Sequence, residues 1–326
     1  MLKQKMYLSR IYNSDYNFFY WRRQKVKKLI NNSSVIRTKK GIVEYFFSNN
    51  KQDGPVIVGI HGAPGDCSQN KYLFHGMQET SYRFLSWSRP GYSRTSLEMG
   101  KSYTEQADVL VELLDTLKID KVGLISFSCG GPIAIEFAIR YPDRVNAMIF
   151  ESAVAHRFKV LPASLIKLII DKISYNDSGS WINEMLEKKA PISLIKMMLY
   201  RLGNYSGRER AILAKKIYSS KEKRLLLFDY ILEPLRPFSL IKKGYLNDLK
   251  LCLNMKQFNF EKIKIPTLII HGTSDGDVPF EHAEFLKSKI QGSELYPVKG
   301  APHPASLVNM SEIINKKIKF LTNNCK

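Results

Sequence analysis

A serine between small residues at the end of an apolar run is the feature of this sequence with the clearest chemical potential. The run of residues 122–127 leads into Ser128, Cys129 and Gly130, and an alanine- and isoleucine-rich helical pattern follows. A buried strand that turns at such a serine into a helix forms a nucleophile elbow. The usual spacing is Gly-x-Ser-x-Gly, and Ser126 here replaces the first glycine. Because the tight turn needs a small side chain at that position, serine still fits.

A serine hydroxyl is a weak nucleophile, so the sequence must also provide a base, which is usually a histidine. The histidines are His61, His75, His156, His271, His282 and His303. Of these, His303 alone stands in a short loop after the last predicted strand, between small and rigid residues in GAPHP. Such a loop reaches the strand ends where Ser128 emerges. We therefore interpret His303 as the base, with an ordinary surface histidine as the alternative.

The base needs an acid that holds its tautomer and stabilises the imidazolium. Asp275 is the strongest candidate, because it lies in the turn directly after a buried predicted strand. Its structural alternative is an Asx turn or a helix N-cap. Asp277 suits the capping role better, since it stands just before Val278-Pro279, where a helix can begin. Glu151, after the preceding core strand, is a third candidate.

The tetrahedral intermediate of acyl transfer also needs hydrogen-bond donors for its oxyanion. The N–H of Cys129 follows the nucleophile at the start of the predicted helix and is one candidate. The other is the N–H of Ala63, in the loop after the predicted strand of residues 55–62. We expect both residues to act through the backbone.

Strands and helices must alternate around these residues to bring them together. Apolar runs predict two short strands between residues 33 and 48 and further strands at 55–62, within 82–95, at 122–127, 145–153, 265–272 and 294–298. Helical spacing predicts helices at 103–117, after Ser128, at about 279–290 and at about 304–321. This alternation predicts an α/β fold with a mostly parallel central sheet and helices on both faces.

The chain divides into three parts by pattern. Residues 1–32 form a basic, aromatic N-terminal extension, and residues 33–153 and 256–326 form the α/β core. Residues 154–255 carry helical patterns only, beginning with residues 161–174, and predict an inserted all-helical cap. We expect the segment around Ser128 to set the chemistry and the cap to set the substrate.

Five motifs in this order make the chain resemble the α/β-hydrolase fold family, as a serine hydrolase with a helical cap. They are HGAPGD, SRPGYSRT, SFSCGG, HGTSDGDVP and GAPHP, and the resemblance covers about residues 33–326. It implies these roles: Ser128 as nucleophile, Asp275 as acid, His303 as base, and Ala63 and Cys129 as backbone oxyanion donors. The departures are Ser126 in the elbow and Ala301-Pro302, where glycine is frequent. The mechanism requires no metal and no organic cofactor, and no cluster of ligand residues suggests one.

The net charge of +20 raises nucleic acids, anionic membranes and acidic substrates as partners. The charge is spread along the chain without a nucleic-acid-binding motif, so we expect a solvated surface and no nucleic-acid partner. Residues 1–30 combine aromatic and basic side chains, which suits peripheral contact with an anionic membrane or packing on the main domain. No apolar run is long enough for a membrane span or a secretory leader, and the four cysteines are scattered. These features favour a reducing, cytoplasmic location.

We therefore predict a serine hydrolase of the carboxylesterase class that cleaves an ester-like bond of a small substrate with an apolar acyl group. A proline iminopeptidase-like aminopeptidase is the alternative, and it would hold the substrate's amino group with acidic cap residues. Those available are Glu184, Glu187, Glu209, Glu222 and Glu233, but Lys and Arg outnumber Asp and Glu in residues 154–255. Carbon–carbon bond hydrolysis by the same triad and a non-catalytic binding role are further alternatives.

Overall fold

An eight-stranded, mostly parallel sheet forms the centre of the fold. The computed structural model of the protein describes residues 17–48, 53–158 and 174–325. The strands are β1 (Ser34–Thr38), β2 (Gly41–Ser48), β3 (Val56–Ile60), β4 (Arg83–Trp87), β5 (Val122–Phe127), β6 (Val145–Glu151), β7 (Thr267–Gly272) and β8 (Glu294–Val298). Their spatial order is β1-β2-β4-β3-β5-β6-β7-β8. The pairs β1–β2 and β2–β4 are antiparallel, and the other five pairs are parallel. The predicted fold class is confirmed.

Helices cover the sheet and fill the chain between β6 and β7. The α-helices of the described residues are α1 (Phe18–Asn32), α2 (Asn70–Phe74), α3 (Tyr103–Thr116), α4 (Gly131–Arg140), α5 (Asp177–Lys189), α6 (Pro191–Leu202), α7 (Gly207–Ser219), α8 (Lys221–Arg224), α9 (Lys242–Leu253), α10 (Glu281–Lys289) and α11 (Ser306–Asn324). A π-helical segment, Leu225–Leu232, continues α8. Single 3-10 turns lie at Cys67–Gln69, Leu97–Met99, Ser128–Gly130, Pro142–Arg144, Glu233–Leu235, Phe238–Leu240 and Phe260–Lys262.

The segment between β6 and β7 was predicted to be helical from end to end. From residue 174 to residue 253 the described chain contains helices and turns and no strand. Residues 159–173, which hold most of the predicted helix at 161–174, lie outside the described residues. The division of the chain into core and cap therefore stays a prediction, and we call α5 to α9 the cap helices.

The two large apolar clusters of the core lie on opposite faces of the sheet, and the strand sequences explain why. In β3, Val56, Val58 and Ile60 belong to one cluster and Ile57 to the other, because successive side chains of a strand point to opposite faces. The first cluster includes residues of α3, α4 and α10, and the second includes residues of α2, α11 and the cap helices. Every residue of β3 is buried, which is typical of a strand with helices on both sides.

The sheet has a switch point between β3 and β5. The chain moves outward from β3 to β4 on one side and outward from β5 towards β8 on the other. In open α/β sheets, ligands bind outside the carboxyl ends of the strands at such a point. Ala63 follows β3 and Ser128 follows β5, so the topology delivers both residues to this crevice.

The N-terminal helix α1 packs on the cap helices. Trp21 is buried, and its indole N–H donates to Glu184 at 2.7 Å. The ammonium of Lys25 lies 2.7 Å from the carboxylates of both Glu184 and Glu233. These contacts support packing for the described part of the extension, and residues 1–16 lie outside the described residues. Phe19 is exposed, so membrane contact through residues 1–30 stays a prediction. None of the described helices has both the length and the apolar character that a bilayer span needs.

The prediction that Asp277 caps the following helix was wrong. Helix α10 begins at Glu281, its N-cap residue is Phe280, and no side chain caps it. The reason is that Asp275 already provides the turn, because its Oδ1 accepts the N–H groups of Asp277 and Val278, each at 2.8 Å. The Asp277 carboxylate is therefore left for other contacts.

Candidate active site

Ser128 occupies a strained turn between β5 and α4. Its φ of +51° lies in the left-handed region, which costs a non-glycine residue about 1–3 kcal/mol. Such strain persists only where the surroundings enforce it, and it clusters at functional sites. Here the turn is tied down by the N–H of Val154, which donates to the Ser128 carbonyl at 3.0 Å. The strand, turn and helix that an elbow requires are thus all present around Ser128.

Two glycines allow the chain after β3 to approach this turn. A Cβ on Gly130 would lie 2.3 Å from the Ile60 carbonyl oxygen, and a Cβ on Gly62 would lie 2.9 Å from the Cβ of Ser128. Both separations are shorter than atoms tolerate, so both positions need glycine. Ser126 is fully buried within β5 and pairs with Ile60 of β3, so this departure from the usual motif leaves the approach intact.

Asp275 and His303 are hydrogen-bonded as an acid and a base of a triad would be. The Nδ1 of His303 lies 2.8 Å from Oδ2 of Asp275, and both side chains are buried. The other carboxylate oxygen forms the Asx turn with Asp277 and Val278. The structural and the chemical interpretation of Asp275 are therefore compatible, because each uses a different oxygen.

Burial and mutual charge act in opposite directions on this pair. Burial alone raises the pKa of Asp275, but the charge of His303 and hydrogen bonds from His271 and His303 outweigh it and bring the pKa to about 2. Burial lowers the pKa of His303, but the charge of Asp275 and its hydrogen bond outweigh that and raise it. Asp275 is thus ionised at neutral pH and keeps the proton of neutral His303 on Nδ1, which leaves Nε2 as the acceptor.

The His303 loop is held against the elbow from three sides. The ring centroid of His303 lies 4.8 Å from that of Phe127, the residue before Ser128. The hydroxyl of Ser152, which follows β6, donates to the His303 carbonyl at 2.6 Å. The N–H of His303 donates to the carbonyl of Leu202, at the end of α6, at 2.8 Å. His303, the candidate base, is therefore positioned by the elbow strand, by the residue after β6 and by a cap helix together.

Three charged or ionisable side chains lie near the pair and were given no role at the site from the sequence. His271 Nε2 lies 3.2 Å from Oδ2 of Asp275. Asp277 Oδ2 lies 4.0 Å from Nε2 of His303, and Arg201 of α6 lies 3.7 Å from the other Asp277 oxygen. The sequence pointed to His271 and Asp277, since both belong to the HGTSDGDVP motif. No sequence feature pointed to Arg201, because nothing in its neighbourhood shows that α6 reaches the strand ends.

Ser128 lines a cavity of about 180 Å³. Ala63 and Cys129, the residues expected to donate to the oxyanion, line the same cavity. Phe158, Leu249, Leu253 and Val278 form its apolar walls, and Arg201 and Asp277 form a charged end. The arrangement brings a candidate nucleophile, two backbone donors and an apolar space into one crevice.

A family model described as the alpha/beta hydrolase fold matches residues 55–309 of the chain. The chain belongs to this family. An uncharacterised hydrolase of Bacillus subtilis, YcgS, is 28% identical over 261 residues, which cover 78% of this chain and 86% of the relative. An alpha/beta hydrolase fold protein from Nakamurella multipartita superimposes with a TM-score of 0.80 at 25% identity, over 89% of this chain and 98% of that one. The protein is thus an enzyme of the α/β-hydrolase superfamily.

A relative with a named reaction is more distant. The 2-hydroxy-6-oxononadienedioate/2-hydroxy-6-oxononatrienedioate hydrolase 1 of Pseudomonas putida is 23% identical over 303 residues, which cover 83% of this chain and 94% of the relative. The similarity extends over nearly the whole of both proteins.

Glu151, the third candidate acid of this α/β-hydrolase, belongs to a separate buried network. The hydroxyl of Tyr72 and the ammonium of Lys317 both contact its carboxylate. Glu151 and Lys317 are almost entirely buried, and Ser306, at the start of α11, donates to the same carboxylate at 3.5 Å. These partners indicate a structural role that joins β6 to α2 and α11.

One cluster within the described ranges has the composition of a metal site. The ligand atoms of His156, Glu281 and His282 lie within 4.8 Å of one another. The Nδ1 of His282, however, accepts the N–H of Ala155 at 3.1 Å. In the neutral ring the proton is then on Nε2, so His282 offers the cluster no lone pair. We assign no metal to this group of residues.

Proposed function

We propose that this α/β-hydrolase is a serine hydrolase of ester-like bonds that acts through an acyl-enzyme. The observation that carries the proposal is the buried hydrogen bond between Asp275 and His303, whose ring packs on Phe127, the residue before the strained Ser128. Ser128 attacks the acyl carbon while Nε2 of His303 takes its proton and then passes it to the leaving group. Water, activated by the same nitrogen, releases the acyl group. The N–H groups of Ala63 and Cys129 stabilise the oxyanion in both steps.

The cavity supports a short or medium apolar acyl group. An apolar cavity of roughly 150 Å³ accommodates benzene, and the cavity beside Ser128 measures about 180 Å³. The apolar part of its lining is Phe158, Leu249, Leu253 and Val278, whose side chains offer no hydrogen bond, and its polar part includes Tyr245, Arg201, Asp248 and Asp277. We therefore expect acyl groups of roughly six to eight non-hydrogen atoms to fit.

The positions of the acidic cap residues argue against the aminopeptidase alternative. None of the five glutamates proposed for it lines the cavity that Ser128 shares. Glu184 and Glu233 bind Lys25, Glu187 binds Arg236, Glu209 is part of the capping box of α7, and Glu222 contacts His75. A substrate ammonium at Ser128 would meet none of them.

Carbon–carbon bond hydrolysis is the second candidate, and the charged end of the cavity favours it. Arg201 lines the cavity beside Ser128, where its guanidinium suits a substrate carboxylate. The Pseudomonas putida relative is named for a dioate substrate. Loss of the absorbance of that dienedioate on addition of the protein, with no hydrolysis of simple esters, would select this reaction over ester hydrolysis.

Labelling with a fluorophosphonate tests the serine mechanism without a known substrate. We expect the wild type to be labelled and Ser128→Ala to be unlabelled. Ser126→Ala is the matched control, because it removes a buried hydroxyl from the same strand and should stay labelled. Absence of labelling in the wild type, or equal labelling of Ser128→Ala, would show that Ser128 is not the nucleophile and would favour a binding role.

A series of p-nitrophenyl esters then tests the acyl group. We expect kcat/KM to be highest for pentanoate to heptanoate, whose acyl groups have roughly six to eight non-hydrogen atoms, and to fall for laurate, because the longer chain does not fit about 180 Å³. Proline p-nitroanilide is the comparison substrate for the aminopeptidase. A preference for the anilide would contradict the proposed ester hydrolysis.

A further inference from the structure

The loop that carries Ala63 turns its carbonyl groups towards one buried arginine. Arg89, two residues after β4, is fully buried. Its Nε donates to the His61 carbonyl at 3.0 Å, and its Nη2 donates to the Gly62 carbonyl at 3.1 Å. The N–H of Gly62 donates in another direction, to the side chain of Gln69, at 2.8 Å. The peptide groups that precede Ala63 are thus each held by a side chain.

This anchoring determines where the N–H of Ala63 points. The Gly62–Ala63 peptide is trans and planar, so its C=O and its N–H point in opposite directions. Because the Gly62 oxygen is held towards Arg89, the Ala63 N–H points away from Arg89, and Ala63 lines the cavity of Ser128. Within the described ranges no group accepts a hydrogen bond from this N–H. It is therefore available to a substrate oxygen.

The side chain of His61 reinforces the same orientation. Its Nε2 accepts the N–H of Arg89 at 3.0 Å, which leaves the proton on Nδ1 in the neutral ring. Nδ1 then donates to the Gly62 carbonyl at 2.7 Å. Burial, together with the charge of Arg89, holds the pKa of His61 well below its usual value, so the ring is neutral at neutral pH.

A carboxylate from the cap holds Arg89 in turn. Asp248 of α9 accepts from Nη1 of Arg89 at 3.1 Å and from Nη2 at 2.5 Å. The exposed fractions of the two side chains are 0% and 2%, and the hydroxyl of Tyr92 donates to the same carboxylate at 2.5 Å. Two parallel bonds to one carboxylate fix the plane of a guanidinium as well as its position. Asp248 also lines the cavity, so this contact joins the cap to the oxyanion loop.

We propose that Arg89 is the positioning residue of the oxyanion site, and that Asp248 makes its position depend on the seating of the cap. Arg89 holds the Gly62 carbonyl so that the Ala63 N–H meets the developing oxyanion. The inference rests on the proposed function, because this N–H has such a role only in acyl transfer. Arg89 is buried behind the loop and acts through the peptide, without touching the substrate.

A double variant separates positioning from folding. Removing either charge alone leaves the other buried and unpaired, whereas replacing a buried ion pair by apolar side chains is often neutral for stability. We therefore choose Arg89→Met with Asp248→Leu, and measure kcat and KM for p-nitrophenyl butyrate and the affinity for phenylboronic acid. The boronate forms a tetrahedral adduct on a catalytic serine and mimics the intermediate. A thermal melt shows whether the variant is folded.

We expect the double variant to fold and to lose roughly 10²-fold in kcat, which is the effect of losing one oxyanion donor. The affinity for the boronate should fall by a similar factor, while KM changes less than about threefold, because the lost contact forms only in the transition state. A folded double variant with wild-type kcat and boronate affinity would overturn the proposal, and so would a loss confined to KM. If the double variant does not fold, Arg89→Lys tests the proposal instead. Lysine keeps the positive charge but cannot hold both carbonyl groups. A wild-type kcat in Arg89→Lys would overturn the proposal.

The control is a second ion pair of the segment between β6 and β7, in which the arginine is buried and the glutamate, Glu187, is 25% exposed. Arg236 lies 2.8 Å from Glu187 and is 3% exposed, and neither residue lines the cavity of Ser128. Arg236→Met with Glu187→Leu should keep the wild-type kcat. Together with the fluorophosphonate labelling, these variants separate the proposed serine hydrolase function from the positioning role of Arg89. A wild type that fluorophosphonate does not label refutes the proposed function, whereas a labelled wild type with an unaffected Arg89 and Asp248 variant refutes the positioning role alone.

Discussion

His303, the proposed base, faces a second carboxylate, and removing the charge of that carboxylate should move the pH dependence of the proposed reaction. Asp277 Oδ2 lies 4.0 Å from Nε2 of His303, the nitrogen that must accept the proton. Its negative charge stabilises the imidazolium and raises the pKa of His303, while the charge of Arg201 lowers it. We therefore expect Asp277→Asn to lower the pKa of His303 and Arg201→Gln to raise it. The two members of one ion pair should act in opposite directions.

The structure limits the size of this effect. Two unit charges 4 Å apart interact by about 4 kcal/mol at an effective dielectric constant of 20, or about three pKa units at 1.36 kcal/mol each. This value is an upper limit for the effect of the Asp277 charge on the pKa of His303. Arg201 lies 3.7 Å from its carboxylate, and the Asp277 side chain is 20% exposed, so water and the guanidinium both screen it. We therefore expect Asp277→Asn to lower the pKa of His303 by less than this limit.

The rate of fluorophosphonate labelling as a function of pH measures this shift without a known substrate. Labelling requires neutral His303, so the rate rises with pH through the pKa of His303 and then reaches a plateau. A lower pKa in Asp277→Asn moves the half-maximal rate to lower pH, and a higher pKa in Arg201→Gln moves it to higher pH. Asp115→Asn removes the same charge from a surface pair with Arg144 and should leave the curve unchanged.

Two results would contradict this reasoning. If both curves coincide with that of the wild type, the Asp277 charge is fully screened at His303. If both curves move in the same direction, the shift comes from a change of cavity shape rather than from charge.

Three further predictions follow from close contacts and buried charges. Gly62→Ala places a Cβ 2.9 Å from the Cβ of Ser128, so the loop must shift, and we expect both a lower melting temperature and fluorophosphonate labelling slowed by roughly 10²-fold. Lys317→Met leaves Glu151 buried without its cation, and urea denaturation should show a loss of about 3–5 kcal/mol, most of which Glu151→Gln in the same chain should restore. Burial opposes ionisation of Glu184, but its partners in α1 bring its pKa from 4.5 to about 2. The contribution of Glu184 to the docking of α1 is then complete above pH 4.5 and is lost as pH falls towards 2. The change in tryptophan fluorescence on acidification should be smaller in Glu184→Gln than in the wild type, and Glu233, which also binds Lys25, accounts for the remainder.

The strands and the pairing of Asp275 with His303 could be predicted because a short stretch of sequence determines each of these features. The buried run before Ser128 and the small residues after it specify the elbow locally. Asp275 and His303 each follow a strand directly, so the parallel sheet brings them to one edge whatever the helices do. The family model and the sheet order confirm the family and the fold class, and the roles of Asp275 and His303 as acid and base stay predictions.

The contacts made by the cap could not be predicted, because the position of a helix over a sheet depends on packing at long range. Arg201 and Asp248 look like ordinary charged residues of amphipathic helices, and nothing within a helical turn of either shows that it reaches the strand ends. Asp277 was misassigned for a related reason. The sequence shows two aspartates in one turn but not which of them the turn uses, and Asp275 serves both the turn and His303.

The cap helices contribute to the position of the catalytic groups as well as to the shape of the cavity. The carbonyl of Leu202 accepts the N–H groups of both His303 and Gly276, and Asn204 donates to the Asp275 carbonyl at 3.1 Å. At the other end, Asp248 holds the arginine behind the oxyanion loop. We therefore propose that cap residues affect catalysis through these contacts, in addition to the substrate selection expected of the cap. A cap exchanged from a relative should preserve kcat only if it provides a carbonyl where Leu202 stands and a carboxylate where Asp248 stands.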